Sequence, residues 1–125
     1  MAAPSILVVD DNPANVKLAS FVLKARGFDV RSASNAEEAM AEITSRPPTL
    51  VLMDIQMPGT DGLTLTRLLK ADPSTRELII IAFTAYAMAG DAEKARDAGC
   101  DGYITTPIDT CVFADQVAGF LRTAR

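Results

Sequence analysis

Ile6-Leu7-Val8-Val9-Asp10-Asp11-Asn12-Pro13 carries the reading of this chain: four apolar residues run unbroken into two acids, an asparagine and a proline. An apolar run with no polar alternation is what a strand buried on both faces requires, as in a parallel sheet. Pro13 suits the first turn of a helix, and Asp11 or Asn12 can cap it. Val16, Ala19 and Leu23, flanked by Leu18, Val22 and Ala25, then recur at helical spacing until Gly27 ends the helix. The result is one strand followed by one helix.

The same unit recurs along the chain. A short strand from Phe28 to Ala33 precedes Ser34 and Glu37, which stand three apart as in a capping box, ahead of Ala36, Ala39, Met40 and Ile43. Pro47-Pro48 stops that helix. Leu50-Val51-Leu52-Met53 is the next buried strand and ends at Asp54. The loop Met57 to Gly62 leads to a helix bearing Leu63, Leu65, Leu68 and Leu69, closed by Asp72-Pro73. Leu78 to Phe83 is the strongest strand, rich in β-branched residues. A helix over Ala87 to Ala98 closes at Gly99, and a short strand from Gly102 to Thr105 meets Pro107. A last helix carries Val112, Phe113, Val117, Phe120 and Leu121. Five such units predict an α/β fold, a doubly wound parallel sheet between two layers of helices.

The 125 residues fit one domain, expected to span 1–125, and 49% hydrophobic with 22% charged residues is an ordinary globular composition. A net charge of −4 with scattered Lys and Arg argues against a nucleic-acid-binding domain. The apolar run at Ile6 is too short for a signal peptide or a membrane span, so a cytoplasmic location is expected. The two cysteines, Cys100 and Cys111, form no CxxC pair and read as packing residues. The chain contains no histidine, which excludes a Ser-His-Asp triad, a Cys-His pair and the common zinc sites. Its chemistry rests on carboxylates, hydroxyls, backbone amides or a hard cation.

Polar residues collect where the strands end. Asp10 and Asp11 follow the first strand, Asp54 the third and Thr84 the fourth; Thr105 and Thr106 close the fifth. The carboxyl ends of parallel strands share one edge, and open α/β sheets bind ligands there. With strands one and three adjacent, as in the order 2-1-3-4-5, Asp10, Asp11 and Asp54 converge. Three carboxylates in one pocket repel each other, and Mg²⁺ or Mn²⁺ resolves the conflict. Either acid of the Asp10-Asp11 pair, taken alone, is explained equally well as a helix cap.

Val8-Val9-Asp10-Asp11-Asn12, Leu52 to Gly62 with its Met57-Pro58-Gly59, Phe83-Thr84-Ala85 and Asp101-Gly102-Tyr103-Ile104 resemble the CheY-like receiver family of bacterial two-component systems. The likeness covers nearly the whole chain, with the motifs in order, and implies a flavodoxin-like sheet of order 2-1-3-4-5. It implies Asp54 as phosphoacceptor, taking its phosphoryl group from a sensor histidine kinase or a histidine phosphotransfer protein. Asp10, Asp11, Asp54 and the backbone carbonyl of Gln56 are then the Mg²⁺ ligands. Thr84 corresponds to the switch hydroxyl, Ala85 keeps the approach open, and Gln56 and Tyr86 set the lifetime of the acyl phosphate. Tyr103 occupies the position of the switch aromatic, although a half-buried strand tyrosine accounts for it as well.

The resemblance also implies signalling through the face of the fourth helix, fifth strand and fifth helix, toward an effector or a second copy. It implies a cis peptide bond at Thr106-Pro107. One residue departs from the pattern: the family normally has Lys before this proline, and Thr106 is neutral and short. Lys17, Lys24, Lys70 and Lys94 belong to helices and offer no obvious replacement. Two other readings stand beside the phosphoacceptor module, which is not expected to be an enzyme. One is a degenerate receiver that binds partners constitutively. The other is a metal-dependent phosphatase with an aspartyl nucleophile, which usually wants an Asp-x-Asp pattern that Asp10-Asp11 does not supply.

Overall fold

The computed structural model describes residues 4–55, 62–84, 90–105 and 109–123. The chain alternates strand and helix five times: β1 (Ser5–Val9), α1 (Pro13–Ala25), β2 (Asp29–Ala33), α2 (Ala36–Ser45), β3 (Leu50–Asp54), α3 (Gly62–Ala71), β4 (Ile79–Thr84), α4 (Asp91–Ala98), β5 (Gly102–Thr105) and α5 (Phe113–Thr123). All neighbouring strands pair in parallel, in the order β2-β1-β3-β4-β5. This is the doubly wound parallel sheet that the alternation predicts, in the flavodoxin-like order that the family resemblance implies.

Successive side chains of a strand point to opposite faces, so each apolar run supplies two cores at once. Ile6 and Val8 pack with Leu50, Leu52, Ile81 and Phe83 under Ala19 and Leu23 of α1 and Phe113 and Val117 of α5. Leu7 and Val9 go the other way. They pack with Val51, Met53 and Ile80 under Ala39 and Ile43 of α2 and Leu65 and Leu69 of α3. A smaller group, Ile55, Ala82 and Ala95, lies beneath α4. Each fully buried Leu, Ile, Val or Phe contributes about 1.5–3 kcal/mol, so burial on both faces of β1, β3 and β4 is the main source of stability.

Helix ends follow local chemistry, with one correction. Asn12 caps α1, its side chain accepting from the Ala14 N–H at 2.9 Å, and Pro13 opens the helix. At α2 the expected Ser34–Glu37 box is displaced by one residue. Asn35 is the cap, accepting from the Glu38 N–H at 2.8 Å, while the Glu38 carboxylate reaches back to the Ser34 N–H and hydroxyl, both at 2.8 Å. Asn and Ser are comparable caps, and the cap falls on the residue whose extended backbone points its side chain at the first turn. α4 begins at Asp91 after Gly90; the expected start at Ala87 lies outside the described residues.

One polar clamp ties distant segments together at the opposite edge of the sheet. Lys70, in the last turn of α3, donates to the carbonyl of Leu78 at 2.7 Å and to the Asp101 carboxylate at 2.9 Å. The same Asp101 oxygen accepts the Ile80 N–H at 2.8 Å. The Lys70 stem crosses Gly99, where an ideal Cβ would stand 2.8 Å from Lys70 Cγ and where φ is +109°. Only glycine meets both demands without strain.

Candidate functional site

Register decides what meets at the carboxyl edge. Val9 of β1 lies opposite Met53 of β3, so the chain leaves the sheet at Asp10 beside Asp54. Asp11 follows in the turn before the Asn12 cap. One carboxylate oxygen from each of Asp10, Asp11 and Asp54 lies within 4.8 Å of the others. Asp10 is 3% exposed and Asp54 8% exposed, whereas Asp11 faces solvent. The convergence predicted for the three acids is therefore present.

Asp10 is held by neutral donors. Its Oδ1 accepts the Asn12 N–H at 2.9 Å and its Oδ2 accepts the Asn15 side-chain amide at 3.2 Å. Beside the acid pair opens a cleft of about 280 Å³, lined in part by Val16, Lys17, Ser32, Ser34 and Glu38. Hydrogen bonds from Ser34, backbone first and hydroxyl second, hold the Glu38 carboxyl below its ordinary range. Three clustered carboxylates, two of them buried, form a hard all-oxygen donor set. Such a set suits a small divalent cation with one or two protein carboxylates and several waters.

The model of the response regulator receiver domain matches residues 6–118. The chain belongs to the response regulator receiver family. A polar-differentiation response regulator DivK from Brucella anthropi is 38% identical over 120 residues, covering 96% of this chain and 98% of that protein. Among solved structures, NtrX from Brucella abortus superposes with a TM-score of 0.91 at 30% identity, covering 98% of this chain and 28% of that one. A signal receiver domain of a histidine kinase from Syntrophus aciditrophicus gives 0.87 at 30% identity, over 97% of this chain and 92% of that one. The receiver is thus a phosphoacceptor signalling module of two-component systems, a class that works with histidine kinases and phosphotransfer proteins and generally takes Mg²⁺ at such an acidic pocket.

The remaining candidates fall differently. Thr84 closes β4 in register with Thr105 of β5, at the same edge as the acids. Its side chain lies outside what the structure describes, as do Gln56, Ala85, Tyr86, Thr106 and Pro107. Tyr103 of the receiver is half-buried opposite Ala82 and packs on the group formed by Ile55, Ala82 and Ala95. It therefore joins the end of β3 and the middle of β4 to helix α4. No helix among the described residues is long and apolar enough to cross a membrane.

Asn15 lies outside the motifs that carry the family resemblance, and Gly62 lies within one without its packing role being legible there. Asn15 reaches Asp10 from α1, and its signal is only its place three residues after the cap. Gly62 reads as the end of a loop but is the first residue of α3, pressed against the strand that carries Asp54.

Proposed function

We propose that this receiver accepts a phosphoryl group on Asp54 from the phosphohistidine of a sensor kinase or histidine phosphotransfer protein in the cytoplasm. The observation that carries the reading is the convergence of Asp10, Asp11 and Asp54 at one sheet edge. An Asp54 oxygen bonds to phosphorus as the phosphorus–nitrogen bond to the donor imidazole breaks, and the imidazole leaves with the electron pair. These 125 residues contain no histidine, so the donor imidazole lies outside them. Asp10, Asp11 and Asp54, with the Gln56 carbonyl, would hold Mg²⁺ or Mn²⁺, which would neutralise charge on the transferring group.

Thr84 then donates its hydroxyl to a phosphoryl oxygen, with Ala85 leaving room, and Tyr103 turns toward the space Thr84 vacates. The response emerges on the α4-β5-α5 face, available to an effector or a second copy. Gln56 and Tyr86 flank the water that ends the signal. The module is the substrate of its donor and not itself an enzyme. A second reading draws on Thr106, which cannot supply the ammonium that lysine would bring: a receiver that binds its partner without phosphorylation. Intact-protein mass spectrometry after acetyl phosphate treatment separates them. A single Mg²⁺-dependent phosphoryl adduct, absent in Asp54→Asn, supports the phosphoacceptor. No adduct, or the same adduct in both proteins, refutes it.

A further inference from the structure

Asp10 is almost fully buried, and the groups bonded to its carboxylate decide which way its oxygens face. The Asn12 N–H fixes Oδ1 at 2.9 Å, and the Asn15 amide fixes Oδ2 at 3.2 Å. A carboxylate offers about four lone-pair sites, so these two bonds restrain rotation while leaving positions on both oxygens for another partner. Asn12 and Asn15 belong to one rigid piece, the cap and first turns of α1. The bond from Asn15 therefore couples the orientation of Asp10 to the helix that begins beside Asp11.

We propose that Asn15 is a positioning residue for the cation site, holding Asp10 in the orientation in which it serves a divalent ion. The inference rests on the phosphoacceptor reading above and adds a residue to it. The identity of the side chain matters. A neutral amide orients the carboxylate and leaves the cluster's negative charge intact for the metal. An ammonium at this place would compete with the ion, and an alkyl side chain would let the carboxylate turn. Supporting partners of this kind commonly govern metal affinity by about tenfold or more without touching the ion.

Calorimetric titration of Mg²⁺ into the whole protein tests this, with no phosphoryl donor present. Asn15→Ala should raise the Mg²⁺ dissociation constant about tenfold, and Asn15→Gln, which keeps an amide donor, should recover most of the loss. Asp11→Ala serves as the control for the site itself. If Asp11→Ala leaves Mg²⁺ affinity unchanged, the cation site and the phosphoacceptor reading fall together. If Asp11→Ala weakens binding and Asn15→Ala does not, the proposal for Asn15 alone is overturned. A purely structural Asn15 would lower the thermal midpoint of the metal-free protein while leaving the dissociation constant of the folded fraction at its native value. That outcome also overturns it.

Discussion

Gly62 rests directly on the Asp54 backbone: a Cβ at residue 62 would stand 2.8 Å from the Asp54 carbonyl carbon and 2.9 Å from Met53 Cγ. The first residue of α3 thus forms the floor beneath the strand that carries Asp54. Thr66, one turn later, returns its hydroxyl to the Gly62 carbonyl at 2.7 Å. A side chain at 62 must displace backbone, which cannot yield as a flexible side chain would.

Gly62→Ala should therefore cost about 1–3 kcal/mol of stability, the usual range for overpacking a close contact. Urea denaturation measures it, and acetyl phosphate labelling of the folded fraction should fall as well, because the strain is delivered at Asp54. A stable, fully labelled variant would show that α3 can lift away without disturbing the site.

The displaced cap of α2 makes a sharper test. Asn35→Ala should cost about 1 kcal/mol, and Ser34→Ala less. The Ser34 N–H and hydroxyl hold the Glu38 carboxyl below its ordinary range. A carboxyl depressed in the folded state stabilises fully above its unfolded pKa, about 4.3, and loses that contribution as pH falls through the lower folded value. Glu38→Gln should then be less stable than the native protein at neutral pH and lose that difference in stronger acid, read by thermal melts at several pH values.

The two thiols should differ in reactivity. Burial pushes the Cys100 thiol up, Asp101 adds to the rise, and the Thr66 hydroxyl and Lys70 oppose it; Cys111 is exposed. Alkylation by iodoacetamide at pH 8, followed by peptide mass spectrometry, should modify Cys111 first and Cys100 slowly. The Cys100 contribution to stability is whole below about pH 8.5 and is lost as pH rises through the raised folded value.

Thr106 sets a magnitude on the departure from the family pattern. A charge-assisted hydrogen bond to a phosphoryl oxygen is worth about 1.5–3 kcal/mol, so Thr106→Lys should raise beryllofluoride affinity about tenfold or more. Titration with Mg²⁺ present checks it. No gain would mean that another group already fills the role or that the pocket has stopped handling phosphate.

Much of this molecule is legible in short stretches. The run Ile6 to Val9 and the break at Asp10-Asp11-Asn12-Pro13 announce a doubly buried strand and a capped helix, because each signal depends on neighbours within a few residues. The same holds for Leu50 to Asp54, for Leu78 to Phe83 and for Gly99 at the end of α4. From five such units the layer architecture and the edge that collects the acids follow, since parallel strands present their carboxyl ends together.

What only the tertiary structure decides lies in contacts between segments far apart in the chain. The pairing of β1 with β3 brings Asp10 beside Asp54, and their register, Val9 opposite Met53, sets how the acids meet. Asn15 gains its meaning from the direction in which α1 leaves the sheet, and Gly62 from the backbone of Asp54 beneath it. Lys70 and Asp101, 31 residues apart, are joined only because α3, β4 and β5 pack as they do. Local sequence sets backbone preference, whereas these relationships depend on distances between elements that chain closure and packing establish together.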